Sequence, residues 1–323
     1  MSALAVFGCL ASVGCHHREV PAPVPAMRVG LIVSATPGDL PAVRQARAGI
    51  RRLRTDLDAV GWVRVVHSEH GGRLALRAAG RAKEQLIFCL GPGFSDTLYE
   101  EAVAYPGSWY VLIPGKITGP NIASIDFATG EPGYLAGVAA GAVPHRRGGA
   151  AGIIREGGQD LFFARAERGF IKGFETAVRG GRVLVADGPS GIAALKSAGV
   201  RVALDTSETT DPAVVAACRK TGILLVTADP KLVTEFPNVV LGTLNIDIGE
   251  AMSRVAQEVW AGTMTAKLYR FDLGSGVVGF TLNHFNAVAD APRVHDAVEK
   301  AKADVTAGIV EIEELGWSVA GTR

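Results

Sequence analysis

After residue 27 the chain alternates short apolar runs with longer amphipathic ones, and this alternation constrains its fold more than any other feature. MRVGLIVS (27–34), LIFCL (86–90), WYVLIP (109–114) and NIASIDF (121–127) have the length and composition of buried strands, and WVRVVHSE (62–69) alternates as another. LPAVRQARAGIRRLRTDL (40–57) has helical spacing, as do stretches around 72–83 and 95–104, and Asp39 is placed to cap the first of these helices. EPGYLAGVAAGAV (131–143) predicts an apolar helix. A second set follows, with a strand at 149–156, a long helix at 161–179, and strands in RVLVAD, GVRVALDT, GILLVTAD and NVVLGTLN (238–245). A helix over 248–262 comes next. KLYRFDLG and GVVGFTL are expected to form a strand pair, and 290–306 a final helix. Two successive βαβ arrays predict an α/β protein of two doubly wound, Rossmann-like domains. Their expected extents are 27–125 plus 247–272 and 126–246 plus 273–323. Right-handed crossovers carry the C-terminal ends of the parallel strands to one edge of each sheet, so a ligand belongs in the cleft between facing edges.

The length of 323 residues fits about two such domains. Lys+Arg is 33 against Asp+Glu 32, a net charge of +1 that argues against nucleic acid as the main partner, because phosphate recognition needs a basic surface. The sequence holds no GxSxG elbow, HExxH or GxxxxGK[ST] motif, and Gly91-Pro92-Gly93 lacks the third glycine of a dinucleotide fingerprint. His145, His284 and His295 are scattered, and no spacing singles out a catalytic triad, so neither a cofactor nor an enzyme is indicated. The cysteines show no CxxC or zinc spacing. Cys89, in a strand, and Cys218, on a helix, read as buried free thiols, and no metal site is expected.

The first residues stand apart. ALAVFGCLASVG (3–14) is uncharged, too short to span a bilayer, and fits the apolar region of a signal peptide over 1–15. Ser12-Val13-Gly14-Cys15 resembles a bacterial lipobox, making Cys15 the expected lipidation site, although Ser12 stands where an aliphatic residue is usual. Residues 16–26, with Pro21, Pro23 and Pro25 in alternation, read as an extended tether. Anchor and tether place the folded part in the cell envelope, on the periplasmic or extracellular side of the membrane.

Several motifs resemble one family. NIASIDFATGEPGYLAGVAAGAV (121–143) is similar to the strand–turn–helix of the basic membrane protein (BMP) family, the purine-nucleoside-binding PnrA-like lipoproteins. RAERGFIKGFETAV (165–178), GPGFSDTLYEEAVAYPGSWYVLI (91–113) and the stretch 247–280 ending GSGVVGF resemble further family segments in the same order. The resemblance implies a type I periplasmic-binding fold, capture of a small solute between two lobes, and delivery to an ABC transporter permease. Two features depart from the family. The loop after the first strand, residues 34–43, has neither the Phe nor the Asn that help hold the base, and Asn245 stands near the place of the family's lysine. The scaffold therefore carries over further than nucleoside specificity.

Candidate ligand contacts are polar or aromatic residues at strand C-termini. Ser34, Thr36 and Asp39 follow the first strand; Phe94, Ser95 and Asp96 follow LIFCL at a helix N-terminus, where capping alone also accounts for the last two. Asp126 and Phe127 lie at the first crossover, where a carboxylate suits sugar hydroxyls and a ring suits stacking. Asp205 and Thr206 end a later strand. Asp229, before Pro230, resembles the family's ribose-binding strand end but is also a common turn pair, and Asn245 lies at the second crossover. Phe163 reads as core and Asp247 as a helix cap. Two other readings stand beside solute delivery: a ligand sensor on the same scaffold, feeding a membrane receptor, and an α/β enzyme with an unrecognised site.

Overall fold

The computed structural model describes residues 26–34, 41–91, 93–145, 149–155 and 161–312. The leader, Cys15 and the tether lie outside them, save Ala26. The first lobe is built from β1 (Arg28–Ser34), α1 (Pro41–Asp56), β2 (Val60–Val66), α2 (Glu69–Arg81), β3 (Leu86–Leu90), α3 (Ser95–Ala104), β4 (Trp109–Ile113) and β5 (Ile122–Phe127). The chain then crosses into the second lobe. There it forms α4 (Gly130–Ala142), β6 (Ala150–Arg155), α5 (Leu161–Ala177), β7 (Arg182–Asp187), α6 (Ile192–Ser197), β8 (Val200–Asp205), α7 (Pro212–Thr221), β9 (Leu224–Thr227), α8 (Lys231–Glu235) and β10 (Val240–Ile246). It returns to the first lobe for α9 (Ile248–Trp260) and β11 (Leu268–Phe271), and ends in the second with β12 (Val278–Leu282) and α10 (Pro292–Thr306).

Two 6-stranded sheets result, ordered β11-β5-β4-β3-β1-β2 and β12-β10-β9-β8-β6-β7. Period-2 side-chain alternation splits each sheet between helical layers. In the first, Val29, Leu31, Leu86 and Phe88 pack beneath α1 and α9, while Ile32, Ile87 and Cys89 face the layer of α2 and α3. In the second, Ala151, Ile153, Val202 and Leu204 pack with α4, α5 and α10, and Ile154 and Ala203 with α6 and α7. Helix α1 buries Val43, Ala46, Ile50 and Leu53 at helical spacing. Helix α4 is apolar on nearly every side because α5, α10 and the second sheet surround it.

The segments expected to pair with each other, KLYRFDLG and GVVGFTL, do not. β11 lies parallel to β5 in the first sheet, while β12 lies antiparallel to β10 in the second. The turn between them is closed by Ser275 N–H donating to Asp272 Oδ1 at 2.8 Å and by Gly276 at φ 72°. It redirects the chain, and each strand completes the open edge of a different sheet. A local alternation pattern cannot distinguish these two outcomes, since both satisfy the same strand edges. Cys89 and Cys218 are free and buried, one in each lobe, and burial raises both thiol pKa values, that of Cys218 to about 12.

Candidate ligand-binding cleft

The C-terminal edges of the two sheets border a cavity of about 680 Å³, within the span of roughly 300–1,000 Å³ usual for small-molecule sites. From the first lobe it is lined by Pro41, Ala42 and Gln45 at the start of α1 and by Ile248 at the start of α9. From the second come Phe162 and Phe163 of α5, Glu208 after β8, and Asn245 of β10. Residues 277–281 form a further wall. The lining combines aromatic and aliphatic side chains with a few amide, hydroxyl and carboxylate groups, a mixture suited to a partly apolar ligand with polar substituents.

The expected contacts fall into distinct environments. Asn245 lines the cavity, where its Nδ2 donates to Thr281 Oγ1 at 2.7 Å and its Oδ1 accepts from Thr243 Oγ1 at 3.2 Å. Asp229 is buried between two cavity residues, Ala228 and Pro230, and its Oδ1 accepts the Lys231 N–H at 3.1 Å at the start of α8. Asp205 is fully buried; its Oδ2 accepts from Ser207 Oγ at 2.8 Å and Thr210 Oγ1 at 2.5 Å. Burial pushes its carboxyl up to about 6, against the opposing pull of those hydroxyls. Thr206 Oγ1 donates to the Ile154 carbonyl at 3.1 Å.

Asp126 and Phe127 serve the joint between the lobes. Asp126 Oδ1 accepts from the buried Arg165 guanidinium of α5 at 2.7 Å, Lys116 Nζ lies 3.9 Å from its Oδ2, and Arg165 also donates to the Phe127 carbonyl at 3.1 Å. Phe127 is wholly buried, backing the cavity residue Phe162 at 5.8 Å between ring centroids and stacking on Phe271 at 6.2 Å. Phe94 lies in the core beneath α2, with Gly72 against its ring, while Ser95 and Asp96 are exposed on the first turn of α3. Ser34 is half-buried and its carbonyl lies against Gly91, which needs a positive φ (109°) and no Cβ there. Thr36 and Asp39 lie outside the described residues. Asp247 caps α9, accepting the Glu250 N–H at 2.8 Å.

Several cavity residues carry no strand-end signal in the sequence. Gln45 and Ala42 sit on α1, Phe162 opens α5, and Glu208 lies three residues past its strand. Phe163, which reads as core, is half-buried and lines the cavity. Glu131, at the start of α4, accepts the Leu273 N–H at 2.8 Å and so ties α4 to the third crossover; its own burial raises its pKa.

Two α/β lobes joined by three crossovers, with a ligand-sized cavity between their strand ends, have the architecture of the type I periplasmic-binding fold. Solved structures share this architecture. The solute-binding protein of an ABC transporter system from Aeropyrum pernix K1 matches with a TM-score of 0.72 at 17% identity, covering 90% of this chain and 94% of that one. A solute-binding protein of an ABC transporter system from Conexibacter woesei DSM 14684 gives 0.73 at 16%, covering 90% and 99%. A protein from Bacillus halodurans described as a transcriptional activator of the comK gene gives 0.73 at 20%, covering 86% and 97%. At these identities the likeness is one of fold. No curated protein matches the sequence. Residues 26–178 match the Bmp family model, ABC transporter substrate-binding protein PnrA-like. Over that stretch the chain is similar to PnrA-like ABC transporter substrate-binding proteins, as its motifs imply. Among the described residues no helix is long and apolar enough to cross a membrane.

Proposed function

We propose that this protein captures a small, nucleoside-like polar ligand in the interlobe cavity and delivers it to an ABC transporter permease, while a lipid on Cys15 holds it at the membrane. The observation that carries the ligand reading is the cavity itself, of about 680 Å³, with Phe162 and Phe163 as ring-sized apolar faces and the Asn245 amide on its wall. Asn245 supplies hydrogen bonds to the polar edge of the ligand, and the Asp229 carboxylate accepts from its hydroxyls.

A thermal-shift screen with nucleosides, sugars and amino acids tests this. Binding raises the melting temperature by mass action, and the expected result is a shift with at least one nucleoside. A clear shift with another class, beside none with any nucleoside, would overturn the nucleoside reading and leave the solute-binding fold intact. Metabolic labelling with palmitate should mark the protein and fail in Cys15→Ser; equal labelling of the two would remove Cys15 as the anchor.

A further inference from the structure

The first N–H of helix α1 finds a partner in the opposite lobe. The first residue of the helix, Pro41, has no N–H, and its first turn contains no acidic side chain. The N–H of Ala42 is therefore the first donor of the helix and, like all N–H groups of a first turn, has no acceptor within it. Its acceptor lies 166 residues away in the other lobe: Glu208 Oε1, at 2.6 Å. A carboxylate at this position also meets the positive end of the helix dipole, so the bond is charge-assisted.

The loop that presents Glu208 is firmly held. Ser207 and Thr210, on either side, both donate to Asp205 Oδ2. Thr206 is pinned to the Ile154 carbonyl by its own N–H at 3.0 Å and by its hydroxyl. Thr210 Oγ1 also lies 2.8 Å from Thr227 Oγ1 at the end of β9. On the opposite side, α1 is fixed to the first sheet by its buried face and to α9 by Gln45 Oε1, which accepts the Ile248 N–H at 3.2 Å. Neither partner has slack to follow the other, so the bond survives only while the lobes stay together.

We propose that Glu208 is an interlobe latch, a positioning residue that caps α1 from the opposite lobe and biases the cleft toward its closed form before any ligand arrives. The inference rests on the two-lobed fold and on the reading of this cleft as the binding site, but not on which ligand fills it. Opening the cleft returns the carboxylate and the Ala42 N–H to water. Loss of a charged hydrogen bond of this kind shifts an equilibrium by about tenfold or more.

The test uses ligand-free protein and three forms: wild type, Glu208→Ala and Glu208→Gln. The expected result is a larger radius of gyration by small-angle scattering for Glu208→Ala. Amide exchange at Ala42 should be about tenfold faster, with amides in the middle of α1 unchanged. Glu208→Gln keeps an acceptor oxygen without the charge and should fall between the other two in both readouts. An unchanged radius in Glu208→Ala overturns the proposal, including when Ala42 exchange accelerates, because the contact is then only a local cap. A Gln form indistinguishable from the Ala form overturns it too, since an acceptor at that position would then have no hold on closure. Because no ligand is added, failure here is separate from failure of the nucleoside screen.

Discussion

The two lobes share one strand order but are assembled differently. In the first, α1 and α9 meet through ordinary side chains, with Gly49 and Gly249 the only close backbone approach described between them; a Cβ added at Gly49 would lie 3.0 Å from Gly249 Cα and 3.2 Å from Met252 Sδ. In the second, α4 and α5 meet backbone to backbone. A Cβ at Gly133, Gly137 or Gly173 would lie 2.1 Å from a carbonyl oxygen of the facing helix, and one at Gly169 only 1.9 Å from the Gly130 oxygen. The difference explains the Gly-Tyr-Leu-Ala-Gly segment. That segment lies in α4, and its spaced glycines are required by helix packing behind the cleft. The most recognisable motif of the chain thus specifies the scaffold, while the groups that line the cavity are scattered elsewhere.

The sharpest way to break this comparison is Gly169→Ala. Alanine is the better helix former by about 1 kcal/mol, but its methyl needs space held by a carbonyl that cannot rotate away. The two helices must separate, and we expect a net loss of about 4 kcal/mol, at or above the upper end for overpacked cores. Urea unfolding of both forms measures it. A loss under about 1 kcal/mol would mean that α4 and α5 can part at little cost and that the glycines do not define the lobe.

The fold was legible because periodicity carries it. Strands buried on both faces, such as β3 and β5, read as continuous apolar runs, and α1 shows its inner face in Val43, Ala46, Ile50 and Leu53. The pairing of β11 and β12 was not legible, because edge partners are chosen by tertiary position. The site was legible only in part. A rule based on strand ends finds Asn245 in the cavity and Asp229 beside it. The same rule selects Phe94, which the α2 layer buries, and Asp126, whose carboxylate meets Arg165. It cannot find Glu208, whose role depends on a helix terminus brought opposite by the other lobe.

The second lobe also buries a carboxyl beneath the loop that presents Glu208, and pH probes it. The Asp205 carboxyl of the second lobe is raised from 3.8 to about 6 by burial. The folded state therefore holds this proton more tightly than the unfolded state. Below about pH 4 both states are protonated and the burial carries no ionisation penalty. As pH rises from about 4 to 6 the penalty develops, and above 6 it is complete, on the order of 2–3 kcal/mol. Asp205→Asn removes the titration, so the stability of the variant relative to wild type should increase between pH 4.5 and 7. Unfolding midpoints at both values, with the difference between the proteins taken at each, isolate this group from all others. A difference that is the same at both pH values would show that the buried carboxyl does not titrate in this window.

The smallest effect belongs to the first lobe, at Gly49→Ala. The same gain in helix propensity applies as at Gly169, about 1 kcal/mol. Here the opposing contact is tight but yielding: Met252 Sδ belongs to a flexible side chain, and Gly249 Cα needs to give only a few tenths of an ångström. The two contributions should nearly cancel, leaving a net change within about 1 kcal/mol by urea unfolding. The value of the experiment lies in its pairing with Gly169→Ala, since both substitutions add one methyl at a buried helix–helix contact. If Gly49→Ala costs as much as Gly169→Ala, distance to the facing backbone does not set the penalty. If the costs separate as expected, the tolerance of each lobe follows from whether its helices meet through side chains or through backbone.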